Sequence, residues 1–168
     1  KRIAESGGAQ LERANRLVMQ DRCEEAIPIL EKFTREYPSY ATANEMLAGC
    51  YIRQGRAKEA AAFLERCLAE EPAQFVYARD LGRAYMDLGR REDAAAVWRG
   101  FLADGGVSAA IYGHIAKVQQ EAGLYDEAIE TFRAGMKFKE NADGFSREII
   151  RLERLVGRDE DAFRDALA

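Results

Sequence analysis

The chain carries a single histidine, His114, and that scarcity removes several chemistries at once. One imidazole cannot supply a metal cluster. Ser6, Ser39, Ser108 and Ser146 show no histidine partner pattern of the kind a nucleophilic pair needs. His114 itself falls just outside the apolar columns of its helix and reads as a surface residue. Cysteine is also sparse: Cys23, Cys50 and Cys67 are an odd number without C-x-x-C spacing. That pattern argues against a disulfide framework or a zinc site and leans toward a reducing compartment. Cys50 and Cys67 fit packed columns; Cys23 falls in a turn, where a packed thiol is still favoured over the alternative of an exposed and reactive one. Gly7-Gly8 and Gly105-Gly106 are too short to cradle a phosphate. No catalytic residue, cofactor or metal is assigned.

Other absences bound the class. Only 3 prolines occur, against a background rich in Ala, Leu, Glu and Arg, which favours helix. The longest uncharged stretch, Gly105 to Ala116, is about half of what a membrane-spanning helix needs. A net charge of −4 is too small to indicate nucleic-acid binding from the total alone. The start, Lys1-Arg2-Ile3, has neither an initiator Met nor a signal-peptide core. The expectation is therefore a segment of a larger protein. The high ratio of Arg to Lys hints at a GC-rich bacterial genome. The thiols favour the cytoplasm, and a periplasmic location would follow if a signal or anchor lay outside the segment.

What is present is an internal period of 34 residues. Five segments align on it: Asp21-Arg-Cys-Glu-Glu-Ala26, Gly55-Arg-Ala-Lys-Glu-Ala60, Gly89-Arg-Arg-Glu-Asp-Ala94, Gly123-Leu-Tyr-Asp-Glu-Ala128 and Gly157-Arg-Asp-Glu-Asp-Ala162. Other columns keep the step: Ala14, Ala48, Gly82 and Ala116; Leu17, Tyr51 and Tyr85; Leu30, Leu64, Trp98 and Phe132; Pro38 and Pro72. The glycines stand where a helix stops and the chain reverses, a place for the left-handed conformation. Carboxylates just before the alanine column meet the free N–H groups and positive dipole end of the next helix. The small columns allow close helix approach, and the large ones fill the space between pairs. The prolines end each second helix. Within Ala60–Leu68 the apolar residues follow the i, i+3, i+4 stripe of an amphipathic helix. The spacing predicts ten helices, over 8–20, 24–36, 41–54, 58–70, 75–88, 92–103, 109–122, 126–138, 143–156 and 160–167.

This pattern resembles the tetratricopeptide repeat family. The resemblance runs over repeats 7–40, 41–74, 75–108, 109–142 and a degenerate 143–168, after a leader at 1–6. It implies an all-α fold, a right-handed α-solenoid of about five helix–turn–helix repeats. The family's tryptophan column is occupied by Gln10, Asn44, Ala78, Tyr112 and Ser146. The resemblance also implies a concave groove lined by the first helix of each repeat. Its fifth and ninth positions are Leu11 and Asn15, Glu45 and Gly49, Arg79 and Arg83, Gly113 and Lys117, and Arg147 and Arg151. Five of the last six are basic, and Arg53 and Arg154 fall on neighbouring groove positions. Arg79 and Arg83 are one turn apart, as are Arg147 and Arg151, so each pair faces one way. Guanidinium forks take carboxylates bidentately.

The expected function is a protein–protein interaction scaffold, not an enzyme, with Asn15, Arg53, Arg79, Arg83, Lys117, Arg147, Arg151 and Arg154 forming a groove for an acidic protein or peptide. Asn15 and the Arg79/Arg83 pair resemble part of the clamp by which one branch of the family grips acidic chaperone tails; Glu45 and Gly49 depart from it. Alternatives are the docking arm of an enzyme encoded outside the segment, and a scaffold that self-associates through the end after Ala168. RNA is disfavoured because the groove lacks an aromatic stacking platform.

Overall fold

The computed structural model describes residues 5–103 and 108–157. Among them are nine α-helices: α1 (Glu5–Met19), α2 (Cys23–Glu36), α3 (Ala41–Arg53), α4 (Ala57–Glu70), α5 (Phe75–Asp87), α6 (Arg91–Ala103), α7 (Ala109–Glu121), α8 (Tyr125–Gly135) and α9 (Ala142–Leu155). Helix α8 ends at Gly135, short of the expected 138, and a short 3-10 turn, Lys139–Asn141, precedes α9. Helix α1 starts inside the expected leader. The tenth expected helix, 160–167, lies outside the described residues. The chain divides into two compact units, Lys1–Ala94 and Ala95–Ala168.

The turns explain why the period holds so strictly. Gly55, Gly89, Gly123 and Gly157 have φ of 66°, 72°, 73° and 79°, and Asp21, the one non-glycine in the column, has φ 58°. The left-handed residue lets the next N–H fold back across the helix end. Arg56 N–H donates to the Tyr51 carbonyl (2.9 Å), Arg90 to Tyr85 (2.8 Å), Leu124 to Gln119 (2.8 Å) and Arg22 to Leu17 (2.9 Å). These are the six-to-one bonds of a Schellman stop. The next helix then opens without a side-chain cap at α2 or α4. First-turn carboxylates supply the compensating charge, and the arginine just before the helix pairs with one of them: Arg22–Glu25 (2.6 Å), Arg56–Glu59 (2.8 Å) and Arg90–Asp93 (2.7 Å). All are exposed, so each contributes little to stability.

In the first unit α1 packs on α2, α2 on α3, α3 on α4 and α4 on α5, and α3 also touches α1 and α5. The small columns are closed: Ala14, Ala26, Ala48, Ala60 and Ala94 are all at 0% exposure. Leu30, Phe33, Leu47, Leu64 and Tyr77 fill the space they leave. The aromatic column carries a polar link as well. Tyr51 Oη donates to Glu31 and Tyr85 Oη to Glu65, each at 2.7 Å and each spanning 20 residues. In the second unit α8 packs on α7 and α9 around Tyr112, Ala116, Ala128, Ile129, Phe132, Phe145, Ile149 and Leu152. Cys23 is the first residue of α2 and fully buried, which agrees with packed thiols and removes the exposed alternative at this position. The Schellman turn ends one residue earlier, which tucks Cys23 under the start of the helix. Cys50 and Cys67 are buried as expected, and all three thiols are free.

Candidate functional site

The second unit holds a cleft of about 790 Å³ between α7 and α9. Its construction depends on one ring. Phe145, in the first turn of α9, lies against Phe132 with centroids 5.4 Å apart. It fits because two glycines face it. A Cβ on Gly113 of α7 would stand 3.2 Å from the ring, and one on Gly135 at the end of α8 would stand 2.7 Å from it. Burying such a ring contributes about 1.5–3 kcal/mol. Ile149 and Leu152 continue the buried stripe of α9, which leaves Arg147 and Arg151 on its outer face. Both line the cleft, with Lys117 from α7 across from them and Phe132, Phe145 and Gly113 beneath.

Three of the eight expected groove residues are therefore brought together: Lys117, Arg147 and Arg151. Lys117 and Arg147 are exposed and make no hydrogen bond or ion pair within the described residues. Arg151 Nη1 donates to Glu148 one turn away at 3.3 Å. Arg154 is exposed on α9 and does not line the cleft.

The remaining four belong to the first unit. Asn15 and Arg83 are exposed. Arg79 is half-buried and spends its fork on its neighbour, with Nε 2.7 Å from Asp80 Oδ1 and Nη2 3.0 Å from Oδ2. That bond raises the guanidinium pKa above its ordinary value, against the opposing effect of burial. Arg53 turns inward onto sulphur: Nε and Nη2 lie 3.2 and 3.1 Å from Cys23 Sγ, and Nη2 lies 3.5 Å from Cys50 Sγ. Burial pushes the Cys50 thiol up to about 12.

Counting basic columns missed the acids of the same cleft. Glu140, Asp143 and Glu148 line it too, as does His114. The signal for Glu148 was its position three residues before Arg151, a spacing that pairs opposite charges on a helix. No spacing rule announced Glu140 and Asp143, which arrive through the 3-10 turn. Among the described residues no group of His, Cys, Asp and Glu is placed to hold a metal ion, and no helix is long and apolar enough to cross a membrane.

Comparison with known proteins places these features in a wider group. A tetratricopeptide repeat family model matches residues 11–74 and 79–139, and a second tetratricopeptide repeat model matches residues 53–99. No curated protein matches the chain. Among solved structures, the chain resembles MamA from Desulfovibrio magneticus RS-1 (residues 41 to the end) with a TM-score of 0.67 at 12% identity, covering 99% of this chain and 94% of that one. A crystal structure of MamA protein gives 0.67 at 17% identity, covering 96% and 88%. At these identities the likeness is one of fold.

Proposed function

The chain belongs to the tetratricopeptide repeat family of protein-interaction scaffolds, and from that premise we propose that the α7–α9 cleft binds an acidic segment of a partner protein. One observation carries this reading. Lys117 and Arg147 stand over an apolar floor and make no ion pair within the described residues. Exposed ion pairs contribute little alone, so affinity has to come from an apolar side chain seated against Ala110, Gly113 and the edge of Phe145. The cations then fix which peptides are accepted, and the expected strength is about micromolar. Glu148, paired with Arg151, keeps that arginine oriented across the outer face of α9.

The test is fluorescence anisotropy with a labelled Leu-Glu-Glu-Leu-Glu peptide and its Leu-Lys-Lys-Leu-Lys counterpart. The double variant Lys117→Glu/Arg147→Glu should weaken the acidic peptide at least about tenfold. Helicity should not change, and added salt should weaken binding to the unaltered protein. Equal binding of the two peptides, or undiminished binding by the variant, would place the recognition surface elsewhere.

A further inference from the structure

The repeat leaves one of its own gaps unfilled. In the first unit an aromatic pair fills the space between the second helices of neighbouring repeats. Tyr51 and Phe63 meet edge-on with centroids 6.4 Å apart, and the Arg56 guanidinium lies 4.7 Å above the Tyr51 ring. A pocket of about 280 Å³ remains beside them, its lining including Thr34, Asn44, Phe63 and Arg66. Two repeats further along the sequence these positions are Leu102, Tyr112, Thr131 and Ala134, and the equivalent of Tyr51 is Gln119. All five line a pocket of about 440 Å³ in the second unit. The larger void follows from the chemistry: both aromatics have given way to short or polar side chains.

Two further features give this notch a ligand preference. Gln119 is 1% exposed, and its Oε1 meets no donor within the described residues. A buried amide oxygen without a partner is destabilising, and a ligand's donor would relieve it. The rim carries Asp126, Glu127 and Glu130 together with Arg99, and Glu130 is also paired with Arg133 at 3.1 Å. Glu127 is half-buried and forms no ion pair within the described residues. The notch therefore offers apolar walls, an unmet acceptor and an excess of negative charge.

We propose that this notch is a second binding site, which receives an arginine side chain of a partner protein. The aliphatic stem matches Leu102 and the body of Tyr112, and the planar fork brings several donors to one place for Gln119 Oε1 and the rim carboxylates. A lysine ammonium is more strongly hydrated and gives up more on entering an apolar slot. The notch shares no lining residue with the α7–α9 cleft, so the two sites select side chains of opposite charge.

The test is an NMR titration of the whole chain with N-acetyl-arginine methylamide, with the norleucine and glutamate analogues as comparisons. The arginine compound should shift the Gln119 side-chain amide and the Thr131 backbone amide saturably, with a dissociation constant of about 10 mM. Glu127→Gln/Glu130→Gln, which keeps shape and fold, should weaken it about tenfold. Gln119→Tyr/Thr131→Phe, which restores the aromatic pair of the first unit, should abolish it. Equal shifts with norleucine would mean apolar filling only, and shifts with glutamate would mean an anion site; either overturns the proposal. So does an unchanged response in the carboxamide variant, which decides the question if the refilled variant does not fold.

Discussion

Arg133→Leu isolates the strongest charge contact of the second unit. Arg133 of α8 donates to Glu153 of α9, whose carboxylate is 1% exposed while the arginine side chain is 39% exposed. Leucine keeps the stem's packing and removes the donor. The buried carboxylate then loses this donor, which raises the cost of keeping it ionised in the folded variant. Protonating a carboxylic acid at pH 7 costs about 1.36 × (7 − 4.3), or about 3.7 kcal/mol, which is the ceiling. Water reaching the exposed side of the site discounts it, so the expected loss is about 2–3 kcal/mol. The sign with pH follows. The folded variant keeps a proton that the unfolded chain releases above about pH 4.3, so its deficit against the unaltered protein grows as pH rises and shrinks below about 1 kcal/mol near pH 4.5. Trp98 is the single tryptophan and fully buried, so urea unfolding read by its fluorescence reports the second unit. Adding Glu153→Gln to the variant should recover most of the loss at pH 7. A loss that does not change between pH 4.5 and 7, or one under about 1 kcal/mol at pH 7, would refute the reasoning.

Three further outcomes follow from the geometry. Asp21→Gly should stabilise the first unit by about 0.5–1 kcal/mol in thermal unfolding, because the residue sits at φ 58° and its carboxylate, 85% exposed, is only 3.8 Å from Arg53. Gly135→Ala should cost about 1–3 kcal/mol, since the new methyl would stand 2.7 Å from the Phe145 ring and 3.0 Å from Tyr112 Cβ; Phe145→Leu should recover part of it if crowding is the cause. The native protein should react with no more than traces of Ellman's reagent at pH 8 and expose three thiols in urea, because Cys23, Cys50 and Cys67 are buried and burial pushes the Cys67 thiol up to about 11. Rapid labelling of the native chain would show that the first unit opens far more readily than its packing implies.

The fold was largely legible because its signals recur. Each glycine of the turn column is read with three others, and the structure gives all four a positive φ. Two residues later the next helix begins at Cys23, Ala57, Arg91 and Tyr125. The groove was legible only as a list of candidate positions. A column states which way a side chain leaves its helix, not which neighbour it then meets. Arg79 shows the limit: it stands on a groove position, yet Asp80, one residue on, takes its fork. Arg53 is drawn to two sulphurs, Cys50 one turn back on its own helix and Cys23, which lies 30 residues away in sequence. Cys23 left an exposed alternative open because a turn residue and the first residue of a helix differ by one position, and that one position decides burial here. Glu140 and Asp143 escaped notice because the chain between α8 and α9 leaves the repeat's geometry.

The 20-residue polar link shows how one backbone period can carry different chemistries. In the first unit the acceptor sits on the second helix of a repeat and the donor on the first helix of the next, as in Glu31–Tyr51 and Glu65–Tyr85. In the second unit the sense reverses, with Arg133 donating to Glu153. Either sense works, because the position needs only that a buried polar atom be met; the turn glycine four residues on fixes the backbone whichever side chain is present. Between these links stand Arg99 and Gln119, at the same spacing. Arg99 is exposed and Gln119 Oε1 meets no donor within the described residues. Losing this link and losing half of the aromatic pair are one event, since the tyrosine supplied both; Thr131 in the phenylalanine's position is the second. A repeat that drops its tyrosine without recruiting a replacement donor keeps its fold through the turn and the small columns, and is left with a polar notch that another molecule's donor can complete.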